Sequence, residues 1–196
     1  QNFVGTSIEV RNAASARARG VEMDFRWLTP FEPLSLFGAG AYTDARFKDY
    51  RNAQAPRGWV SNFQDLSGKR MPFVSEWQFN VTPTLRVPFE APEGATFGGR
   101  LPRDYALTTA LDVFYKSDAF LDIDADPSTR QDAHVLLDGR IGLATADGAL
   151  TFAVSVTNIT DAEVFEFLTD STFFPGGYMG FQEFQRTWAA EVRFRW

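Results

Sequence analysis

The sequence contains no cysteine. That excludes a disulfide scaffold, a thiolate metal site and a thiol nucleophile, and it leaves the compartment open. It contains one histidine, His134. A Cys–His dyad therefore cannot be built, and no G-x-S-x-G elbow offers that imidazole a serine partner. No run of about 18 apolar residues occurs, which excludes a transmembrane helix. There is no basic block, and the net charge is −6, so the chain carries no electrostatic footprint for nucleic acid. Helical periodicity is missing throughout. The first residues, QNFVGTSIEV, have no initiator Met, no charged n-region and no apolar h-region. The expectation is that a leader has been removed or that the chain is a piece of a longer one.

What the sequence does have is a period of two. Hydrophobic residues make up 44%, and 20 residues are Phe. In VEMDFRW, Val21, Met23, Phe25 and Trp27 alternate with Glu22, Asp24 and Arg26. In FVSEWQFNVTPTLRV one face holds Phe73, Trp77, Phe79, Val81, Leu85 and Val87. YALTTALDVFYK, VLLDGRIGLA and LTFAVSVT repeat the pattern, and TWAAEVRFRW closes the chain with Trp188, Val192, Phe194 and Trp196 on one face. Alternation of this kind marks β-strands with one apolar and one polar face. Two less regular strands are expected over Phe3 to Arg11 and Leu34 to Ala45. The total is about eight long strands. Pro83 falls inside the fourth, and because it cannot donate to a ladder a bulge or local break is expected there.

The connections alternate between short and long. The Asp147-Gly148 pair signals a tight hairpin, whereas Arg46 to Pro72, Ser117 to Gln131 and Ile159 to Gln185 are long. Short turns at one end and long loops at the other are the habit of outer-membrane barrels. Strands of about ten residues suit a tilted bilayer crossing. A soluble β-sandwich would also alternate, with shorter strands. The mean hydropathy of −0.22 does not separate the two, since lipid-facing and lumen-facing residues average out in a barrel.

Candidate sites are few. Asp122, Asp124 and Asp126 begin like a calcium loop, but Pro127 and Ala133 stand where Gly and Glu are needed. A solvated acidic loop is the expectation. His134 reads as a rim residue near a strand start. GAGAYT lacks the third glycine of a dinucleotide fingerprint and sits in a strand pattern, so Gly38 and Gly40 are read as wall glycines. No catalytic residue, cofactor or metal ligand is expected.

The ordered set of segments RNAASARARGVEMDF, DLSGKRMPFVSEWQFNV, VTNITDAEVF and QRTWAAEVRFRW resembles the C-terminal part of a TonB-dependent outer-membrane receptor. Gln185 stands where proline is usual in that family, and Trp196 where Phe is commoner. The resemblance implies an all-β fold of about eight long antiparallel meander strands over residues 1–196, a C-terminal segment of a transmembrane barrel of about 22 strands, in the bacterial outer membrane. It implies a transporter and not an enzyme, energised through TonB, taking up a ferric siderophore, cobalamin or an oligosaccharide. The implied partners are outer-membrane lipid, the plug domain and TonB complex lying outside this chain, the barrel-assembly machinery and a small-molecule ligand.

On that reading Glu76, Arg86, Asp112, Lys116, Asp138, Arg140, Glu191, Arg193 and Arg195 face the lumen or the plug. Trp59, Phe63, Phe173, Phe174 and Tyr178 lie on loops, where they either stack on ligand or pack the loops together. Phe194 and Trp196 carry the assembly signal. Two other accounts of the same alternation stand beside this one: a small eight-stranded outer-membrane barrel with a structural or adhesion role, and a soluble carbohydrate-binding β-sandwich.

Overall fold

The computed structural model describes residues 2–4, 7–9, 15–92, 104–171, 173–174, 176–183 and 185–195. Seven long strands form one sheet: β1 (Ser15–Leu28), β2 (Leu34–Asp49), β3 (Trp77–Glu90), β4 (Asp104–Lys116), β5 (His134–Thr145), β6 (Leu150–Thr157) and β7 (Thr187–Phe194). Each pairs antiparallel with the next, in strict sequence order. β1 and β7 are the edges of an open sheet. They do not pair with each other, so the described residues do not form a closed small barrel.

The expected first strand is corrected. Asn2–Val4 folds back on Ser7–Glu9 as a separate antiparallel hairpin, and residues 10 and 11 lie outside the described residues. Strand β1 in turn begins earlier than the VEMDFRW pattern suggests. Phe73 is also removed from its predicted strand. Its φ is 64°, its N–H bonds the Phe120 carbonyl, and its ring stacks on Phe167 with centroids 6.4 Å apart.

The register places every apolar set on one face. Val21, Tyr42 and Trp77 share a row, as do Phe79, Tyr115 and Val135. Further along, Leu85, Thr109, Ile141, Val154 and Ala190 are aligned. Phe25, Trp27, Trp77, Phe79, Phe152, Trp188, Val192 and Phe194 are all exposed. No second sheet covers them among the described residues, which rules out a sandwich. A soluble monomer rarely exposes so large an apolar face.

Aromatic rings concentrate at the two ends of that face. Tyr42 lies against Trp77 and Phe79 against Tyr115, both with centroids 4.6 Å apart, at the end bearing the long loops. Phe89 and Tyr105 stack at the other end, 5.8 Å apart. Phe79 to Phe89 spans ten residues, or about 33 Å along a strand. At the usual barrel tilt that rises about 25 Å, the height of a lipid-facing band between two aromatic girdles.

Pro83 behaves as its chemistry demands. Its row with Leu36 persists, but the β3–β4 ladder omits Thr82 and Pro83 and resumes at Thr84 in the same register. The result is a local break with no slip. Gly38 is required by close approach: a Cβ there would stand 2.3 Å from the Phe25 ring. At the tight turn Gly148 takes φ 70°, while the Asp147 carboxylate accepts from Thr145 Oγ1 and the Ala149 N–H.

Substituting Val154 by Arg, between Trp188 and Phe194 on the apolar face, is expected to destabilise the bilayer-embedded protein by about 2–4 kcal/mol. Thr84→Arg, on the other face, should cost much less. Unfolding of both variants in lipid vesicles measures the difference, and equal costs would overturn the facing assigned here.

Candidate functional site

The three long connections, residues 50–76, 117–133 and 158–186, leave the same end of the sheet and fold onto one another. Each contains its own short ladder: Ala53–Gln54 with Phe63–Gln64, Ala119–Phe120 with Arg130–Gln131, and Phe165–Asp170 with Tyr178–Gln182. Hydrogen bonds cross between them. Phe73 N–H donates to Phe120 O, Leu168 N–H to Leu121 O, Gln64 Nε2 to Asp124 O at 2.6 Å, and Phe165 N–H to Gln131 Oε1 at 2.9 Å. Arg57 binds the Asp170 carboxylate through its backbone N–H and the Ser171 carbonyl through its guanidinium. Ala53, Ala55, Leu66, Ala119, Leu121 and Val164 are buried in this cap. Most of the buried apolar residues among the described ones are therefore in the loops.

Asp122, Asp124 and Asp126 correct the expectation of a solvated acidic loop. All three are buried, Asp124 to 3% exposure. Their carboxylates close successive turns, accepting from the N–H groups of Ile123, Asp126 and Ser128. Asp126 caps a single 3-10 turn, Pro127–Thr129. Burial, reinforced by the neighbouring Asp122 charge, pushes the Asp124 carboxyl up to about 6. Among the described residues no cluster of His, Asp and Glu is arranged to hold a metal ion.

Beneath the cap, on the sheet face opposite the apolar one, lies a cavity of about 340 Å³. Its floor is one register row: Gln78, Lys116 and His134 stand directly opposite one another on β3, β4 and β5. Gln131, Glu166 and Glu183, with the hydroxyl side chains Ser75 and Ser117, complete its polar lining. His134 Nδ1 lies 3.1 Å from the Asp132 carbonyl oxygen and donates to it, so in the neutral ring Nε2 is an acceptor. His134 Nε2 and Glu183 Oε2 are both buried without a hydrogen-bond partner among the described residues. The cavity thus offers two free acceptors beside the Lys116 ammonium, which sits 5.2 Å from the Phe114 ring centroid. It suits a polar group that brings its own donors. His134 stands at the loop end of β5, the rim position expected from the sequence; nothing in the sequence singles out Glu183, since nothing local marks the two as neighbours.

Arg86, Asp112, Lys116, Asp138, Arg140, Glu191 and Arg193 fall on this same polar face by register. Arg140 and Arg193 both pair with Glu191, at 2.9 and 2.7 Å. Asp112 accepts from Thr82 Oγ1, and Asp138 from the Asn158 N–H. Arg195 follows the end of β7, where its N–H bonds Ala149 O. Glu76 is corrected. It precedes β3, and its carboxylate turns to Arg46 and Arg70 at 3.2 and 3.6 Å, away from the others. Trp59, Phe63, Phe173, Phe174 and Tyr178 are exposed on the outer part of the cap. None lines the cavity, although Arg57 ties the two loops that carry them. Phe194 ends β7 on the apolar face, paired with Leu150; Trp196 lies outside the described residues.

A single sheet with one uncovered apolar face, two aromatic girdles, and short turns opposite a loop cap defines part of a membrane β-barrel wall. The comparisons give the family. The model for "TonB dependent receptor-like, beta-barrel" matches residues 1–159, and the chain belongs to that family. The crystal structure of the ferric yersiniabactin uptake receptor FyuA from Yersinia pestis superimposes with a TM-score of 0.67 at 20% identity, covering 93% of this chain. The chain spans 24% of the length of that structure.

The raised Asp124 carboxyl sets a pH dependence. The folded cap binds this proton more tightly than the unfolded chain, whose carboxyl titrates near 3.8. The contribution to stability is therefore largest below about pH 4 and is lost as pH rises through about 6. Asp124→Asn should slow hydrogen exchange across residues 119–131 at pH 8, by the order of 1–3 kcal/mol, and leave it unchanged at pH 4. An equal effect at both pH values would refute the assignment.

Proposed function

We propose that the chain forms the C-terminal wall and outer loops of a TonB-dependent outer-membrane receptor that imports a scarce nutrient. Family membership together with seven meander strands, whose long loops all leave one end, carries this reading. The complete barrel has about 22 strands in this account, and its remaining strands join the free edges of β1 and β7. Lipid cannot satisfy an open sheet edge. The outward apolar face meets outer-membrane lipid, and the inward face meets a plug domain. The Arg140–Glu191–Arg193 cluster and the cavity below the cap are the places for plug or ligand contact. Phe194 and Trp196 serve recognition by the barrel-assembly machinery.

The protein works by binding and gating, without a chemical step of its own. Energy reaches the plug through TonB and opens a path for a ferric siderophore, cobalamin or an oligosaccharide. The likeness in fold to a ferric yersiniabactin uptake receptor is what makes the first of these the one to test first. Exposed Trp59, Phe63, Phe173, Phe174 and Tyr178 then meet ligand at the mouth, where flat rings stack on sugars or on siderophore aromatics.

Radiolabelled ferric siderophore, cobalamin and oligosaccharide offered to cells that carry the full-length gene test this. One of them should accumulate, and removal of TonB should abolish the uptake. Uptake that persists without TonB would overturn the reading.

A further inference from the structure

On the apolar face, just beyond the upper aromatic girdle, the chemistry changes abruptly to arginine. Arg17 stands directly opposite Arg46 across β1 and β2. Arg46 in turn forms a β-bridge with Arg70. Three arginines thus share one cross-strand row. Arg19 lies on the same face by alternation, two residues from Arg17. Like charges set directly opposite are destabilising unless something neutralises them.

The chain supplies part of that neutralisation. Asp44, buried between them, accepts from Arg19 at 3.0 Å and Arg46 at 2.6 Å. Glu76 serves Arg46 and Arg70, and Asp118 serves Arg70 and Arg130 at 2.9 and 3.1 Å. Three carboxylates face five arginines, in a protein whose net charge is −6. Arg17 shows that the demand is not met, since it makes no ion pair among the described residues; Arg70 Nε, buried and without a hydrogen bond, reaches only the Glu76 carboxylate at 3.6 Å.

The row's height selects the missing anion. Arg19 lies two residues beyond Val21, and Arg17 four. These are about 7 and 13 Å further along the strand from the row of Tyr42 and Trp77. That is the depth of lipid headgroups, outside a hydrocarbon band bounded by aromatic rings. Guanidinium forks match phosphate oxygens in geometry as well as charge.

We propose that Arg17, Arg19 and Arg46, with Arg70 behind them, bind the phosphate of an anionic lipid headgroup in the leaflet at the loop end. The proposal rests on the membrane-barrel reading. It adds a fixed lipid site to what would otherwise be a uniform greasy wall. The lipid supplies the negative charge that the arginine row lacks, and it ties the cap to the membrane surface at β1 and β2.

The test uses detergent-solubilised full-length protein titrated with phosphatidylglycerol or phosphatidylcholine and followed by native mass spectrometry. The protein should retain phosphatidylglycerol more tightly. Joint Arg17→Gln and Arg19→Gln substitution should weaken it by about fivefold for each cation removed. Arg26→Gln, on the opposite face of β1, should leave it unchanged, and a preserved β-sheet circular dichroism spectrum checks that each variant folds. Equal affinity for the two lipids, an unaltered double variant, or displacement of the lipid by equimolar free phosphate would each overturn the lipid site while leaving the barrel reading intact. A protein that stays monodisperse without detergent and takes up neither lipid would overturn the barrel reading as well.

Discussion

The constraint on which everything else depends is the backbone hydrogen bond in a medium without water. A peptide group left unpaired in hydrocarbon costs several kcal/mol. Each strand of the wall must therefore be paired along its whole crossing with a neighbour on either side. This explains why the strands are long, why they follow one another in strict sequence order, and why one sheet suffices with no second layer against it. It also explains how Pro83 is tolerated. Its missing N–H interrupts the ladder toward β4 at one step, the pairing toward β2 continues, and the register is kept on both sides. A bulge would have shifted every later side chain to the wrong face.

The same constraint turns the usual division of inside and outside around. Large apolar side chains are exposed on the wall, where lipid is their solvent. Most of the buried residues are apolar groups and short polar side chains in the loops. Those loops stand in water and must hold themselves together as a soluble domain does. They have short ladders of two to six residues per strand, so much of their backbone has no regular partner. Side chains take over that work: Asp122, Asp124 and Asp126 close turns, Gln64 and Gln131 bridge loops, and Arg57 pins one loop to another. The raised Asp124 carboxyl is a direct consequence, since three turn-closing carboxylates have been drawn into one buried place.

What the sequence makes legible follows from these two regimes. In the wall, side-chain direction alternates residue by residue, and solvent on the two faces differs sharply. Six of the seven long strands can be read from hydrophobic alternation alone, and β2 less cleanly, because Gly38 and Gly40 leave gaps in its apolar set. Gly38 makes room for the Phe25 ring from the neighbouring strand, a contact that local sequence does not reveal. In the loops, partners are far apart along the chain. Nothing near Glu183 indicates His134, and nothing near Asp124 indicates Gln64. Glu76 fits the alternation of its strand, yet its carboxylate answers Arg46 and Arg70. Charge pairing won over periodicity there because Glu76 lies just outside the ladder that would have fixed its direction. The Asn2–Glu9 hairpin was missed for the simpler reason that two three-residue strands are too short to show a period.

Register links the two regimes. The row Gln78–Lys116–His134 forms the cavity floor because β3, β4 and β5 are aligned to bring Phe79, Tyr115 and Val135 together one residue further on, facing lipid. Arg17, Arg46 and Arg70 align because the same ladder brings Val21, Tyr42 and Trp77 into the girdle. A slip of one residue between any two strands would turn apolar side chains inward and charged ones into lipid. The apolar pattern is therefore what specifies the polar sites. The energetic demand of the membrane fixes the register to a single solution, and that solution sets which charged and hydrogen-bonding groups meet under the cap and above the girdle.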